Sequence, residues 1–209
     1  MPLITISRMY GSGGSEIADI TARALGWTLY DNELVDEIAE RSGLTRAEVS
    51  REEERVPSLV ERISGAFALG TPEAMPPMPD GQPMTTEEEI VAATKRVIED
   101  AVKRGPAVFV GRGAQCLLAE RGDALHVFCY AQPAALMAYA RDRRGIPANE
   151  VEKKVHEMNK AREQYVKRHW NRNWQSPLNY HLCLDTGWHG IERSAGIVVE
   201  AARMKFGLS

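Results

Sequence analysis

Little in this chain ties it to a membrane, a disulfide framework or a metal. No apolar stretch approaches the roughly 18 residues a membrane span needs. The start, Met1-Pro2-Leu3-Ile4-Thr5-Ile6-Ser7, has neither the charged head nor the long apolar run of a signal peptide. A cytoplasmic protein with no membrane partner is expected. Cysteine is scarce: Cys116, Cys129 and Cys183 are odd in number and far apart, which excludes a disulfide scaffold. In contexts such as Val127-Phe128-Cys129-Tyr130 they are expected to be reduced core thiols. His126, His156, His169, His181 and His189 lack close metal-ligand spacing, and no Gly-x-Ser-x-Gly elbow is present. Positive charge is not in excess either. A formal net charge of -3 offers no global attraction for a polyanion, so extended nucleic-acid binding is not expected.

What is present is an ordinary globular composition, 44% hydrophobic and 26% charged over 209 residues, enough for one domain with a substantial core and an appended helical part. Strand and helix signals alternate. Leu3 to Ser7 is a short β-branched run, followed by Gly11-Ser12-Gly13-Gly14 and a helical pattern through Ile17, Ile20, Ala24 and Leu25 that Gly26 closes. Thr28-Leu29-Tyr30 reads as a second strand, and Asp31 is placed to cap a helix from Asn32 to Arg41. Leu59, Val60 and Ile63 suggest a further helix, and residues 70–84, with Pro72, Pro76, Pro77, Pro79 and Pro83, form a Pro-rich insert expected to be mobile.

Thr86 and Glu89 form a capping-box pair at the head of a helix running to Arg104. Ala107 to Val110 is then a buried strand opening onto Gly111-Arg112-Gly113, with a short helix from Ala114 to Glu120 and a strand from Leu125 to Tyr130. Pro133 starts a helix ending near Gly145, Asn149 is placed to cap a long charged one reaching Trp170, Tyr180 to Leu184 is the last strand and Ile191 to Lys205 the last helix. Continuously apolar strands alternating with helices predict an α/β fold with a parallel sheet covered on both faces.

A strand running through a glycine-rich turn into a helix N-terminus aims backbone N–H groups and a positive dipole end at one point, which suits a phosphate. Gly11, Ser12, Gly13 and Gly14 supply that turn, and Ser15 stands where a P-loop hydroxyl meets Mg²⁺. The strict pattern of Gly, four residues, Gly, Lys and Ser or Thr is not met. Arg8 takes the place of its first glycine and Gly14 that of its lysine. A glycine-rich turn without a ligand stays open as an alternative reading; a dinucleotide fingerprint is disfavoured by Glu16, where a small residue is required.

The cations that could replace the lysine are few. Arg8, at the strand's end, either supplies the missing charge or pairs with a nearby carboxylate. Arg112 directly follows a buried strand and should emerge at the sheet's carboxyl edge, where open α/β sheets bind ligands. Arg162, Arg168 and Arg172, near Tyr165, Trp170 and Trp174, either form a closing lid or a solvated face, with Arg168 and Arg172 the first candidates. Asp31 is an N-cap, an acceptor-site group, or both.

Ile4-Thr5-Ile6-Ser7-Arg8 through Gly14, Tyr30-Asp31-Asn32-Glu33-Leu34, Val110-Gly111-Arg112-Gly113-Ala114 and Leu184-Asp185-Thr186, in order along the chain, resemble the cytidylate-kinase-like family of P-loop proteins. The resemblance implies a three-layer P-loop NTPase-type fold with a five-stranded parallel sheet. A helical acceptor-binding subdomain would span residues 31–100, and a long helix with an arginine-bearing lid residues 149–176. It implies MgATP as donor and CMP or dCMP as acceptor, with Arg112 on the acceptor's phosphate and Arg162 also on the substrate. Where classical cytidylate kinases carry Asp after that arginine, this chain has Gly113. A nucleotide-binding module that has lost catalysis, and a kinase of a non-nucleotide small molecule, are the competing expectations.

Overall fold

The computed structural model describes residues 1–31 and 86–208, with the side chains of residues 86–89 not described. The expected helices at 32–41 and 59–63, the Pro-rich insert, the Thr86–Glu89 capping pair and most of the acceptor-binding subdomain lie outside that description.

Five parallel strands stand in the order β2-β3-β1-β4-β5, with β1 at Leu3–Arg8, β2 at Thr28–Tyr30, β3 at Ala107–Val110, β4 at Ala124–Tyr130 and β5 at Leu182–Asp185. The two-residue period of a strand sorts β1. Ile4 and Ile6 join Val108, Val127 and Cys129 beneath α1 (Gly14–Leu25) and α7 (Ile191–Phe206), packing on Ile17, Ala18, Val198 and Ala202. Leu3 faces the other way, with Phe109 and Ala124, against Ile90, Val97 and Ile98 of α2 (Thr86–Arg104). Two apolar cores on opposite faces make three layers.

The remaining helices gather around the carboxyl ends of the strands. They are α3 (Ala114–Leu117), α4 (Pro133–Arg144), α5 (Val151–Trp170) and α6 (Thr186–His189). The helix after Ala114 is shorter than the sequence suggests, because the i→i+4 ladder stops at Leu118 and gives way to turns. Glu150, not Asn149, is the N-cap of α5, without a side-chain cap bond. The last strand starts at Leu182, two residues late. Tyr180 is held instead by an aromatic cluster, its ring stacked on Phe128 at 4.9 Å and its hydroxyl donating to the Trp174 carbonyl at 2.7 Å. Cys129 is buried and Cys116 partly so, but Cys183 is exposed. Among the described residues β5 pairs with β4 alone, and one face of such an edge strand is readily left in solvent.

A polar pair interrupts the core beside β1. His126 is buried; its Nδ1 lies 2.7 Å from the Thr5 hydroxyl, its backbone N–H donates to His181 Nδ1 at 2.9 Å, and the two imidazoles stack at 5.0 Å. Burial first, and then the charge of His181, pushes the His126 pKa down to about 4. The folded state thus takes up this proton less readily than the unfolded chain at 6.5. The stabilisation is complete above pH 6.5 and is lost as pH falls through about 4, at most about 3 kcal/mol in all. Thermal melting between pH 7 and 4.5 should therefore show a smaller fall in midpoint for His126→Gln than for the unaltered protein; equal falls would contradict this account.

Candidate active site

The turn after β1 is fixed from several sides. Met9 N–H continues the sheet to the Cys129 carbonyl at 2.9 Å, and both the N–H and the hydroxyl of Ser12 donate to the Met9 carbonyl, at 3.2 and 2.8 Å. Tyr10 N–H donates to Asn159 Oδ1 of α5 at 2.6 Å. Gly11 and Gly13 hold left-handed φ values of 85° and 70°. A Cβ on Gly11 would stand 2.4 Å from the Leu136 carbonyl oxygen of α4, and one on Gly13 2.0 Å from Ile191 Cδ1 of α7. The outer wall of the turn is thus packed on two helices.

Its inner side is the start of α1. The first helical bond there is Ile17 N–H to the Gly13 carbonyl at 3.0 Å, so the N–H groups of Gly14, Ser15 and Glu16 precede the ladder and are not satisfied by it. Together with the helix dipole they form an end suited to an anion. Ser12 is committed to Met9, whereas Ser15 sits half-buried in the first turn of α1.

Arg8 ends β1 on the α1 face, as its spacing from Ile4 and Ile6 requires, with Cys129 as its register partner. Its side chain runs over Gly14: a Cβ there would lie 2.4 Å from Arg8 Cβ and 2.9 Å from Arg8 Cγ.

Beside this turn, at the carboxyl edge of β1 and β3, a small cleft is lined by Ser7, Arg8, Arg112 and Gln115. Arg162, Tyr165 and Trp174 form the opposite wall. Arg112 is 4% exposed. It lies in a left-handed run, with φ 69° at Gly111, 55° at Arg112 and 67° at Gly113. An arginine in that region costs on the order of 1 kcal/mol and persists only where its surroundings hold it. The surroundings are bonds on either side: Gly111 N–H donates to the Ile6 carbonyl and Ala114 N–H to the Gly111 carbonyl, both at 3.1 Å.

The helix α5 supplies the third cation. Arg162 donates through a terminal nitrogen to the Arg8 carbonyl at 2.9 Å and lies 5.8 Å from the centre of the Tyr10 ring. The inner face of α5 is anchored by Tyr165 and Val166, which pack with Phe128 and Trp174. Arg162 is therefore brought to Arg8 and Arg112, the latter two from the sheet's own edge. Arg168, by contrast, is exposed on the outer side of α5. Arg172 does not line the cleft; its charge acts on the partly buried Cys116 thiol, which desolvation pushes up to about 11 against that opposing influence. Asp31 is half-buried immediately after Tyr30. Asp185 caps α6, its carboxylate accepting from the N–H groups of Gly187 and Trp188 at 3.0 and 3.3 Å. Arg141, Arg143 and Arg144 are all exposed.

Asn159 and Gln115 were not singled out by sequence reasoning, whereas Trp174 was noted beside the lid arginines. A signal existed for Asn159, since it precedes Arg162 by three positions and so shares its side of the helix. Gln115 carries no such signal. A further contact explains Gly113. A Cβ there would be 2.1 Å from the Trp170 ring, so the indole lies against the bare backbone where a side chain would otherwise project. Among the described residues no cluster of His, Cys, Asp and Glu could hold a metal ion, and no helix is long and apolar enough to cross a membrane.

A model of the cytidylate kinase-like family matches residues 3–187, whereas no curated protein matches the chain. Among solved structures, an uncharacterized protein from Eubacterium ventriosum ATCC 27560 is similar with a TM-score of 0.70 at 17% identity, over 97% of this chain and 98% of that one. TT1252 from Thermus thermophilus has a TM-score of 0.54 at 15% identity, covering 98% and 97%. Shikimate kinase from Acinetobacter baumannii, in complex with shikimate, has 0.51 at 14%, covering 96% and 92%. At such identities the likeness is one of fold, and the fold is the three-layer α/β architecture of P-loop kinases.

Gly113→Ala should lower stability by about 2 to 4 kcal/mol, combining the left-handed backbone with overpacking against Trp170. In a Trp170→Ala background the same substitution should cost less, because only the backbone part remains. Denaturant unfolding of the four proteins measures this, and strict additivity would refute the contact.

Proposed function

Because the chain belongs to the cytidylate kinase-like family, we propose that it is a phosphotransferase that moves the γ-phosphoryl group of MgATP to a nucleoside monophosphate, with CMP or dCMP as the first acceptors to consider. The observation that carries this reading is the meeting of Arg8, Arg112 and Arg162, from three different elements, in one cleft beside the anion-binding start of α1.

In such a transfer an oxygen of the acceptor's phosphate forms a bond to the γ-phosphorus, and the bond from that phosphorus to the β-γ bridging oxygen breaks. The bonding pair leaves on ADP. The attacking oxygen already carries negative charge, so no strong general base is required; positioning and neutralisation do the work. The N–H groups of Gly14 and Ser15 suit the donor's phosphates. Arg112, rigidly presented between two glycines, suits the acceptor's phosphate with its planar fork. Arg162 closes the cleft from α5 and, through its bond to the Arg8 carbonyl, ties that helix to the phosphate turn. Tyr165 and Trp174 exclude water from the same side. Bound Mg²⁺ would supply charge neutralisation between the β- and γ-phosphates, and the Ser15 hydroxyl is the group suited to hold it.

One feature favours a second reading, a small phosphorylatable acceptor other than a cytidine nucleotide. The position after Arg112, where classical cytidylate kinases carry Asp, is here a glycine covered by Trp170, so no carboxylate is available there for hydrogen bonds to an acceptor.

A coupled assay of ADP release across CMP, dCMP, UMP and AMP separates the readings. Turnover of at least one nucleotide is expected, with kcat/KM reduced about 10²- to 10³-fold by Arg112→Ala and with Arg162→Ala more damaging than Arg168→Ala. ATP binding by calorimetry without turnover of any of the four nucleotides would overturn the nucleoside-monophosphate reading, leaving a non-nucleotide acceptor or a nucleotide-binding module.

A further inference from the structure

Gly14 is unlike the other glycines of the phosphate turn. Gly11 and Gly13 need their left-handed φ values, but Gly14 is the first residue of α1 with no such requirement. Any amino acid could adopt its backbone, and most would favour the helix more. What forbids a side chain is space. A Cβ would meet Arg8 Cβ at 2.4 Å and Arg8 Cγ at 2.9 Å, with Cys129 Cβ at 3.6 Å behind them. These neighbours cannot give way freely, because Arg8 Cβ is fixed by a β-strand hydrogen-bonded on its β4 side, and Cys129 is its buried register partner.

The strict phosphate-loop pattern has glycine where Arg8 stands and lysine where Gly14 stands. We propose that Arg8 and Gly14 are an exchanged pair, in which the cation that contacts the donor's terminal phosphates comes from the end of β1 instead of from the first turn of α1. One volume beside the nest holds one side chain, and here it is entered from the strand. The alternation of β1 fixes which residue enters: Ile4 and Ile6 lie under α1, and position 8 is next on that face. The ligand class is the polyphosphate of a nucleoside triphosphate, and Arg8 is a catalytic residue in the sense that it touches the group in transfer. This rests on the phosphotransferase reading for the identity of the donor, but the exchange itself does not depend on which acceptor is used.

The steric and the charge halves are tested separately. Gly14→Ala should lower the thermal midpoint clearly in the unaltered protein. It should do so equally in an Arg8→Ala background, where the Cβ atoms still collide, and much less in an Arg8→Gly background. For the charge, calorimetry with magnesium and either ATP or inorganic triphosphate should show binding weakened about 10-fold or more in Arg8→Gly. It should be regained by at least half of that loss in Arg8→Gly/Gly14→Lys. Circular dichroism confirms that each variant is folded. If Gly14→Ala is equally harmful in all three backgrounds, or if the double variant binds inorganic triphosphate no better than folded Arg8→Gly, the exchange is wrong. Recovery of triphosphate binding without turnover of any acceptor would leave the exchange standing and overturn the kinase reading.

Discussion

The contact between the Arg8 side chain and the bare Cα of Gly14 organises the candidate site. It lays the base of the Arg8 side chain against the first turn of α1. The same site holds Arg112, almost wholly buried, and Arg162. Three cationic side chains gathered at one sheet edge are consistent with a dianionic or polyanionic ligand.

The helix α5 is what joins these parts. Its inner face is held to the sheet by Tyr165, Val166 and the Trp174 cluster, and the same face sends Asn159 to the Tyr10 N–H and Arg162 to the Arg8 carbonyl. A displacement of α5 would therefore alter the phosphate turn and the cleft together. Trp170 extends this coupling to the arginine turn after β3, since its ring fills the space above Gly113. Gly14, where the strict phosphate-loop pattern has lysine, and Gly113, where classical cytidylate kinases carry aspartate, are in this way both covered by side chains arriving from elsewhere, one from a strand and one from a helix.

Much of this was legible in the amino-acid sequence. The β-branched run at Leu3, the turn glycines, the closing Gly26, Pro133 and Gly145 marked element ends, and the alternation of apolar strands with helices gave a parallel three-layer fold. These signals are local: backbone freedom, missing N–H groups and periodicity act within a few residues. The errors arose where tertiary contacts overrode local preference. Cys183 has apolar neighbours in sequence but lies on an edge strand, and Tyr180 has strand propensity but is drawn into the Phe128 and Trp174 cluster.

The sequence by itself determined that a phosphate-suited turn follows β1, that Arg112 leaves the end of a buried strand, and that the lysine of the strict phosphate-loop pattern and the aspartate of classical cytidylate kinases are both replaced by glycine. Only the tertiary structure decided what fills those positions and which lid arginine meets the others. Arg162, Arg168 and Arg172 are alike as residue types, and helical spacing alone does not say which side of α5 faces the sheet; the anchoring of Tyr165, Val166 and Trp174 fixes that rotation and selects Arg162. Likewise a glycine at position 14 reads only as a missing lysine until β1 and α1 are packed together. The distance between Arg8 and Gly14 is a property of how a strand meets a helix, and no local propensity encodes it.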